Sequence, residues 1–140
     1  MNDTDRKEFL FKEIEIIQSI IRRMAFNSFL IKGWTLTLVI ASLLLNHDFE
    51  EKWLGFIPLV IFWFLDAYYL RQENLFRKLH NWTKDNRLQT DDLIFDTNVE
   101  KRFGDEVKFN RVFRSKTIAP FYSSIGVVVF VYILIMEGKL

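Results

Sequence analysis

Long apolar blocks separated by strongly polar sequence set the organisation of this chain. They run from Gly33 to Leu45, from Leu54 to Leu65 with an aromatic extension through Leu70, and from Ile118 to Met136. Once the more polar flanks are counted, each approaches the roughly 20 residues that a helix needs to cross the hydrocarbon of a bilayer. The pattern predicts an all-α membrane protein with three transmembrane helices, over 26–46, 54–72 and 118–136. Burial of the same blocks in a soluble bundle would leave too little polar sequence to cover them.

Helical periodicity continues outside these blocks. Leu10, Ile14, Ile17, Ile21 and Met24 recur at alternating steps of four and three, predicting an amphipathic helix over 5–25. Asp5 and Glu8 have the spacing of a capping box at its start. No Gly or Pro interrupts the sequence before Gly33, so this helix is expected to enter the first span directly, with Gly33 as a bend. After Tyr68 and Tyr69, the apolar positions Leu75, Phe76, Leu79 and Trp82 carry the second span on as an extramembrane helix. The rest of the 73–116 region is less regular. Asp91, Asp92, Asp96, Asn98 and Gly104 suggest turns, Val107 to Phe113 a short strand or helix, and Pro120 the first turn of the third span.

Charge adds an orientation. Arg6, Lys7, Lys12, Arg22 and Arg23 precede the first span, and eleven Lys and Arg lie between Arg71 and Lys116. The loop from His47 to Trp53 offers only Lys52 against Asp48, Glu50 and Glu51, and the tail after Met136 only Lys139. The positive-inside rule then predicts a cytoplasmic N-terminus and long loop, with the short loop and the C-terminus on the outer side of the membrane. The first span is expected to act as an uncleaved anchor, since more than twenty charged and amphipathic residues precede it.

Two ionisable residues interrupt the apolar blocks, Lys32 in the first and Asp66 in the second. At about 1.5 Å of rise per residue, they lie at similar depth in an antiparallel hairpin and can pair. Lys32 belongs to a polar line, Ser28, Lys32, Thr35 and Ser42, on one helical face. The line has two readings: close packing against a neighbouring helix, or the wall of a hydrated path near the axis of an oligomer. Arg71 and Glu73 are expected to extend the seam toward Arg23 and Asn27.

Other chemistry finds little support. The chain of 140 residues has no cysteine, and a net charge of +1 gives no electrostatic case for a nucleic-acid polymer. His47 and His80 lie at opposite ends of the second span, too far apart to share a metal, and the Asp91, Asp92 and Asp96 cluster reads as turns. No phosphate-cradling glycine loop or catalytic triad order is present, so neither an enzyme nor a cofactor is expected. The basic positions Lys101, Arg102, Lys108, Arg111, Arg114 and Lys116, interleaved with Phe103, Phe109 and Phe113, either enforce topology or bind an anionic ligand or lipid headgroup.

The runs RRMAFNSFLIKGWTLTLV (Arg22 to Val39) and FIPLVIFWFLDAYYLRQENLFRKL (Phe56 to Leu79) resemble a family of small bacterial membrane proteins. In that family a KGW in the first span accompanies an LDAYYLRQE at the end of the second. Its shared residues fall here on Lys32, Trp34, Asp66, Tyr68, Tyr69, Arg71 and Glu73. The layout is similar to that of membrane effectors of anti-phage defence systems. The resemblance implies a non-enzymatic effector that oligomerises in the bilayer, receives a signal or a soluble sensor on its cytoplasmic helices, and permeabilises the membrane. On that reading Lys32→Ala or Asp66→Ala abolishes the effect. The alternative is an anchoring subunit that holds a soluble enzyme at the membrane; a transporter is disfavoured by three spans without an inverted repeat.

Overall fold

The computed structural model describes residues 3–45, 50–90, 96–136 and 138. Among them the elements are α1 (Asp3–Leu45), a 3₁₀ helix (Glu50–Gly55), α2 (Phe56–Asn86), α3 (Val99–Phe103), α4 (Phe109–Phe113) and α5 (Ala119–Met136). The described residues contain no strand, and α1, α2 and α5 are each long and apolar enough to cross a bilayer. The chain is an all-α membrane protein with three spans. The His47–Asp48 part of the short loop, Asp91 and Asp92, and Lys139 lie outside the described residues.

α1 spans 43 residues, about 64 Å, so it is twice as long as a span requires. It runs without interruption through Gly33, and Thr37 Oγ1 donates to the Gly33 carbonyl at 3.1 Å. A Cβ at Gly33 would meet nothing within 4 Å, so no close approach requires glycine there. The expected capping box does not form. Asp3 and Thr4 already belong to the helix, and Glu8 turns forward to pair with Lys12 at 2.7 Å instead of reaching back.

α2 starts with Pro58 in its first turn, where a missing amide donor is tolerated, and continues for 31 residues. It returns antiparallel along α1. Three side-chain contacts fix the register: Lys32 with Asp66, Gln18 with His80, and Glu13 with Arg87. The first two lie fourteen residues apart on both helices, four helical turns, which keeps them on one seam. Ile17, Ile21, Ile31 and Val39 of α1 and Leu59, Ala67, Leu75 and Leu79 of α2 are buried among the core.

The apolar half is completed by α5. Gly126 lies against Leu59 and Phe56 of α2, and Tyr122, Val129 and Ile133 are buried. Trp53 of the 3₁₀ helix stacks on Phe56 and meets Phe130 edge-on. Large side chains of this half point outward: Phe29, Trp34, Leu44, Phe64 and Val128 are all exposed. In hydrocarbon this outward apolarity is the favourable arrangement.

In the polar half, α3 and α4 pack on α2. Within the stretch from Val107 to Phe113, residues Phe109–Phe113 form a helical turn and none forms a strand. Asn98 caps α3 by accepting from the Lys101 amide at 3.3 Å. The rings of α4 fix its height. Phe113 stacks on Trp63 at 4.6 Å, Phe109 lies 4.9 Å from Phe64, and Trp63 Nε1 donates to the Phe113 carbonyl. Arg71 at the end of the apolar block holds the Val107 carbonyl, and Trp63 and Phe64 precede Asp66 within that block, so the α4 segment reaches from the polar boundary into the apolar half.

Candidate functional site

The seam inside the apolar half is built from all three spans. Lys32 Nζ lies 2.5 Å from Asp66 Oδ2 and 2.9 Å from Ser28 Oγ, and Ser28 donates to the other Asp66 oxygen. The four-residue step from Ser28 to Lys32 puts both on the α1 face that meets Asp66. From α5, the Tyr122 hydroxyl donates to the Phe62 carbonyl at 3.2 Å and lies beside Thr35 and Asp66. Phe121 covers the ammonium, with its ring centroid 5.9 Å from Lys32 Nζ.

Burial divides the pair unequally. The Asp66 side chain is 0% exposed, whereas that of Lys32 is 22% exposed. Asp66 therefore depends on its three protein neighbours, while Lys32 retains an outlet along its flexible stem. Counted along the helices, Lys32 lies about 13 Å beyond Arg23 and Asp66 about 7.5 Å beyond Arg71. The pair sits between the polar boundary and the bilayer midplane, where an unpaired charge still costs several kcal/mol.

Each expected seam residue has a definite position. Ser28 and Thr35 are buried with Asp66, and Thr35 Oγ1 donates to the Ile31 carbonyl at 2.7 Å. Ser42 lies apart; its hydroxyl donates to the Leu38 carbonyl at 2.8 Å, and its Cβ faces Gly55. The polar line therefore turns inward within one chain, and its buried members do not present a surface to an oligomer axis. Arg71 does not continue the seam toward Arg23. Its guanidinium donates to both Glu100 oxygens at 2.6 and 2.7 Å and to the Val107 carbonyl at 2.8 Å, clamping the α3–α4 segment onto α2. These bonds hold the Glu100 carboxyl below its ordinary range. Glu73 is buried and accepts from Arg77 one turn on, at 2.8 Å.

The polar half contains a second buried pair. Arg87 donates through Nε and Nη2 to the two Glu13 oxygens, both at 2.6 Å. Arg87 is 1% exposed and Glu13 6% exposed, so this bidentate pair is deeply enclosed. Sequence patterning missed it because a charged residue on a solvent-facing helix ordinarily reads as surface. Two signals pointed to it. Glu13 lies one turn before Ile17 on the apolar stripe, and the register set by Lys32 and Asp66 brings Glu13 within about half a turn of Arg87. Tyr122 was also missed, since an aromatic near the start of a span ordinarily reads as an interfacial anchor.

The six basic loop positions do not act together. Lys108 and Arg111 share a groove of about 390 Å³ with Arg77 and Lys78 of α2. Arg102 instead lies over Trp82, its Cζ 3.8 Å from the ring centroid, and Lys101, Arg114 and Lys116 do not line the groove. Among the described residues no group of three or more His, Cys, Asp or Glu is placed to hold a metal ion. No family model, curated protein or solved structure matches this chain.

Proposed function

We propose that the protein is a non-enzymatic membrane effector whose long hairpin links a signal-receiving extramembrane end to a closed set of spans. The observation that carries this reading is continuity: α1 and α2 each run unbroken from the polar half into the apolar half. One buried ion pair closes the hairpin in each half, about 30 Å apart along the helices. A helix without a hinge transmits displacement along its axis, so separation of the stalk at Glu13 and Arg87 loads the seam at Lys32 and Asp66. The closed seam is the resting state on this account, and its opening hydrates the spans. The charge distribution supports a cytoplasmic stalk in a bacterial inner membrane, with the C-terminus on the far side. The resemblance of the KGW and LDAYYLRQE runs suggests anti-phage defence as the setting, with oligomerisation in the bilayer after opening.

Because Ser28, Lys32 and Thr35 gather around the buried Asp66 within the chain, loss of that cluster should release the effect, reversing the sign expected for a line that forms a conducting path. Cells expressing the intact protein should keep their membrane potential, whereas membrane-inserted Lys32→Ala or Asp66→Ala chains should depolarise them, as read by a potential-sensitive dye. Unchanged potential with both inserted variants would remove the effector reading.

A second reading draws on the exposed side chains of α1. Phe9, Phe11 and Ile16 are exposed in the polar half, Phe11 to 70%. Phe9 and Ile16 share one side of the helix and Phe11 lies nearly opposite, and exposed apolar side chains of this kind suit an anchoring subunit that docks a soluble partner on its stalk. Its expected signature is a potential indifferent to every seam substitution, together with a partner lost on Phe11→Ser.

A further inference from the structure

We propose that the groove between α2 and α4 is a binding site for a phosphate-bearing anion, and that its occupant is the headgroup of an anionic phospholipid. Four cations line it, Arg77 and Lys78 from α2 with Lys108 and Arg111 from the α4 segment, and Asn81 and Ser115 add neutral polar groups. The single carboxylate in the lining, Glu106, is engaged by Lys78, and the other acid within reach, Glu73, is engaged by Arg77. Lys108 and Arg111 pair with no carboxylate among the described residues. Two such cations in a concave groove that also carries Asn81 and Ser115 form a receptor for a phosphate oxygen cluster.

Height selects the source of the phosphate. α4 is seated on the span by Phe109 against Phe64 and Phe113 against Trp63. Arg77 lies only six residues, about 9 Å, beyond Arg71 at the end of the second apolar block. The headgroup layer occupies roughly 5–8 Å on each side of the hydrocarbon, and it is bracketed by Arg77 and by Asn74 of the same lining, about 4.5 Å beyond Arg71, so the groove spans its level. A neighbouring groove of about 510 Å³ shares Arg77 and Asn81 and adds Arg22 and His80, which continues the basic belt around α2. Anionic lipid at a basic belt of this depth is attracted strongly by each Lys or Arg. The inference does not depend on whether the protein is an effector or an anchor.

Native mass spectrometry of the full chain in mild detergent, doped with phosphatidylglycerol or phosphatidylcholine, tests it. Retained phosphatidylglycerol but not phosphatidylcholine is expected, and Lys108→Ala with Arg111→Ala should weaken retention at least about tenfold. Lys101→Ala with Lys116→Ala removes the same charge outside the groove and should leave retention within about twofold of the intact chain. The charge-conserving pair Lys108→Arg with Arg111→Lys guards against misfolding and should keep the lipid. Equal losses in the groove and control pairs, or no loss in either, would overturn the site. Inorganic phosphate or ATP that binds without lipid and depends on Lys108 and Arg111 would uphold the phosphate site while overturning the lipid as its source.

Discussion

The two halves of the hairpin use one device in two solvents. In the apolar half the polar groups point inward and large apolar side chains such as Phe29 and Leu44 face out. In the polar half Ile17, Ile21, Leu75 and Leu79 are buried, while Lys7, Lys12 and Lys84 face out. Each half nevertheless encloses an ion pair at the α1–α2 seam. The charges are also exchanged: α1 contributes the cation within the bilayer region and the anion in the stalk, and α2 the reverse. Burial of such pairs adds little net stability compared with well-packed apolar residues, but breaking one leaves a charge without a partner. Register is the property they secure. A slip of one turn would separate both pairs at once.

Breaking either pair at one end should have the largest effects. Lys32→Ala leaves the buried Asp66 without its cation and should destabilise the bundle by about 3–5 kcal/mol. Asp66→Ala should cost less, because the part-exposed Lys32 can extend toward the headgroups. Thermal unfolding in detergent checks the order, and a larger loss from Asp66→Ala would contradict the assigned asymmetry. In the stalk, Arg87→Met should cost a similar ~3–5 kcal/mol and raise hydrogen exchange along the first turns of α1. The double substitutions Lys32→Met with Asp66→Asn, and Glu13→Gln with Arg87→Met, should each be more stable than their worse single member.

Smaller effects separate the halves further. Tyr122→Phe removes the donor to the Phe62 carbonyl and should cost about 1 kcal/mol, confined to the docking of α5. In the stalk, Thr83 is fully buried and its hydroxyl has no hydrogen-bond partner among the described residues. Thr83→Val should therefore be neutral or stabilising, by up to about 1 kcal/mol, and a clear drop in melting temperature would mean that the hydroxyl is satisfied.

The smallest effect is electrostatic. Arg71 lowers the Glu100 pKa, so the contact stabilises the fold above the ordinary carboxylate range and is lost as pH falls through the lowered value. Glu100→Gln should flatten that acid-side dependence slightly, since the carboxylate is more than half exposed.

Legibility in the sequence followed the same division. Lys32 and Asp66 stood out because a charge in an apolar block is a local anomaly, and simple rise arithmetic brought them together. Glu13 and Arg87 sit among other charges, so composition hides them, and only the hairpin register identifies them. Arg71 was misassigned for a related reason. Depth arithmetic gives height along a helix but not the side that a residue faces, and Arg71 faces the α3–α4 segment instead of α1. That segment is short and held by long-range contacts from Arg71, Trp63 and Phe64, which leave no periodic trace.

The coupling of the two halves is tested most directly by recording membrane potential in cells expressing Arg87→Met, a change confined to the stalk and about 30 Å from the seam. The account predicts that the inserted variant depolarises cells as Asp66→Ala does, while the intact protein does not. A stalk loosened to exchange or protease with the potential untouched would contradict it.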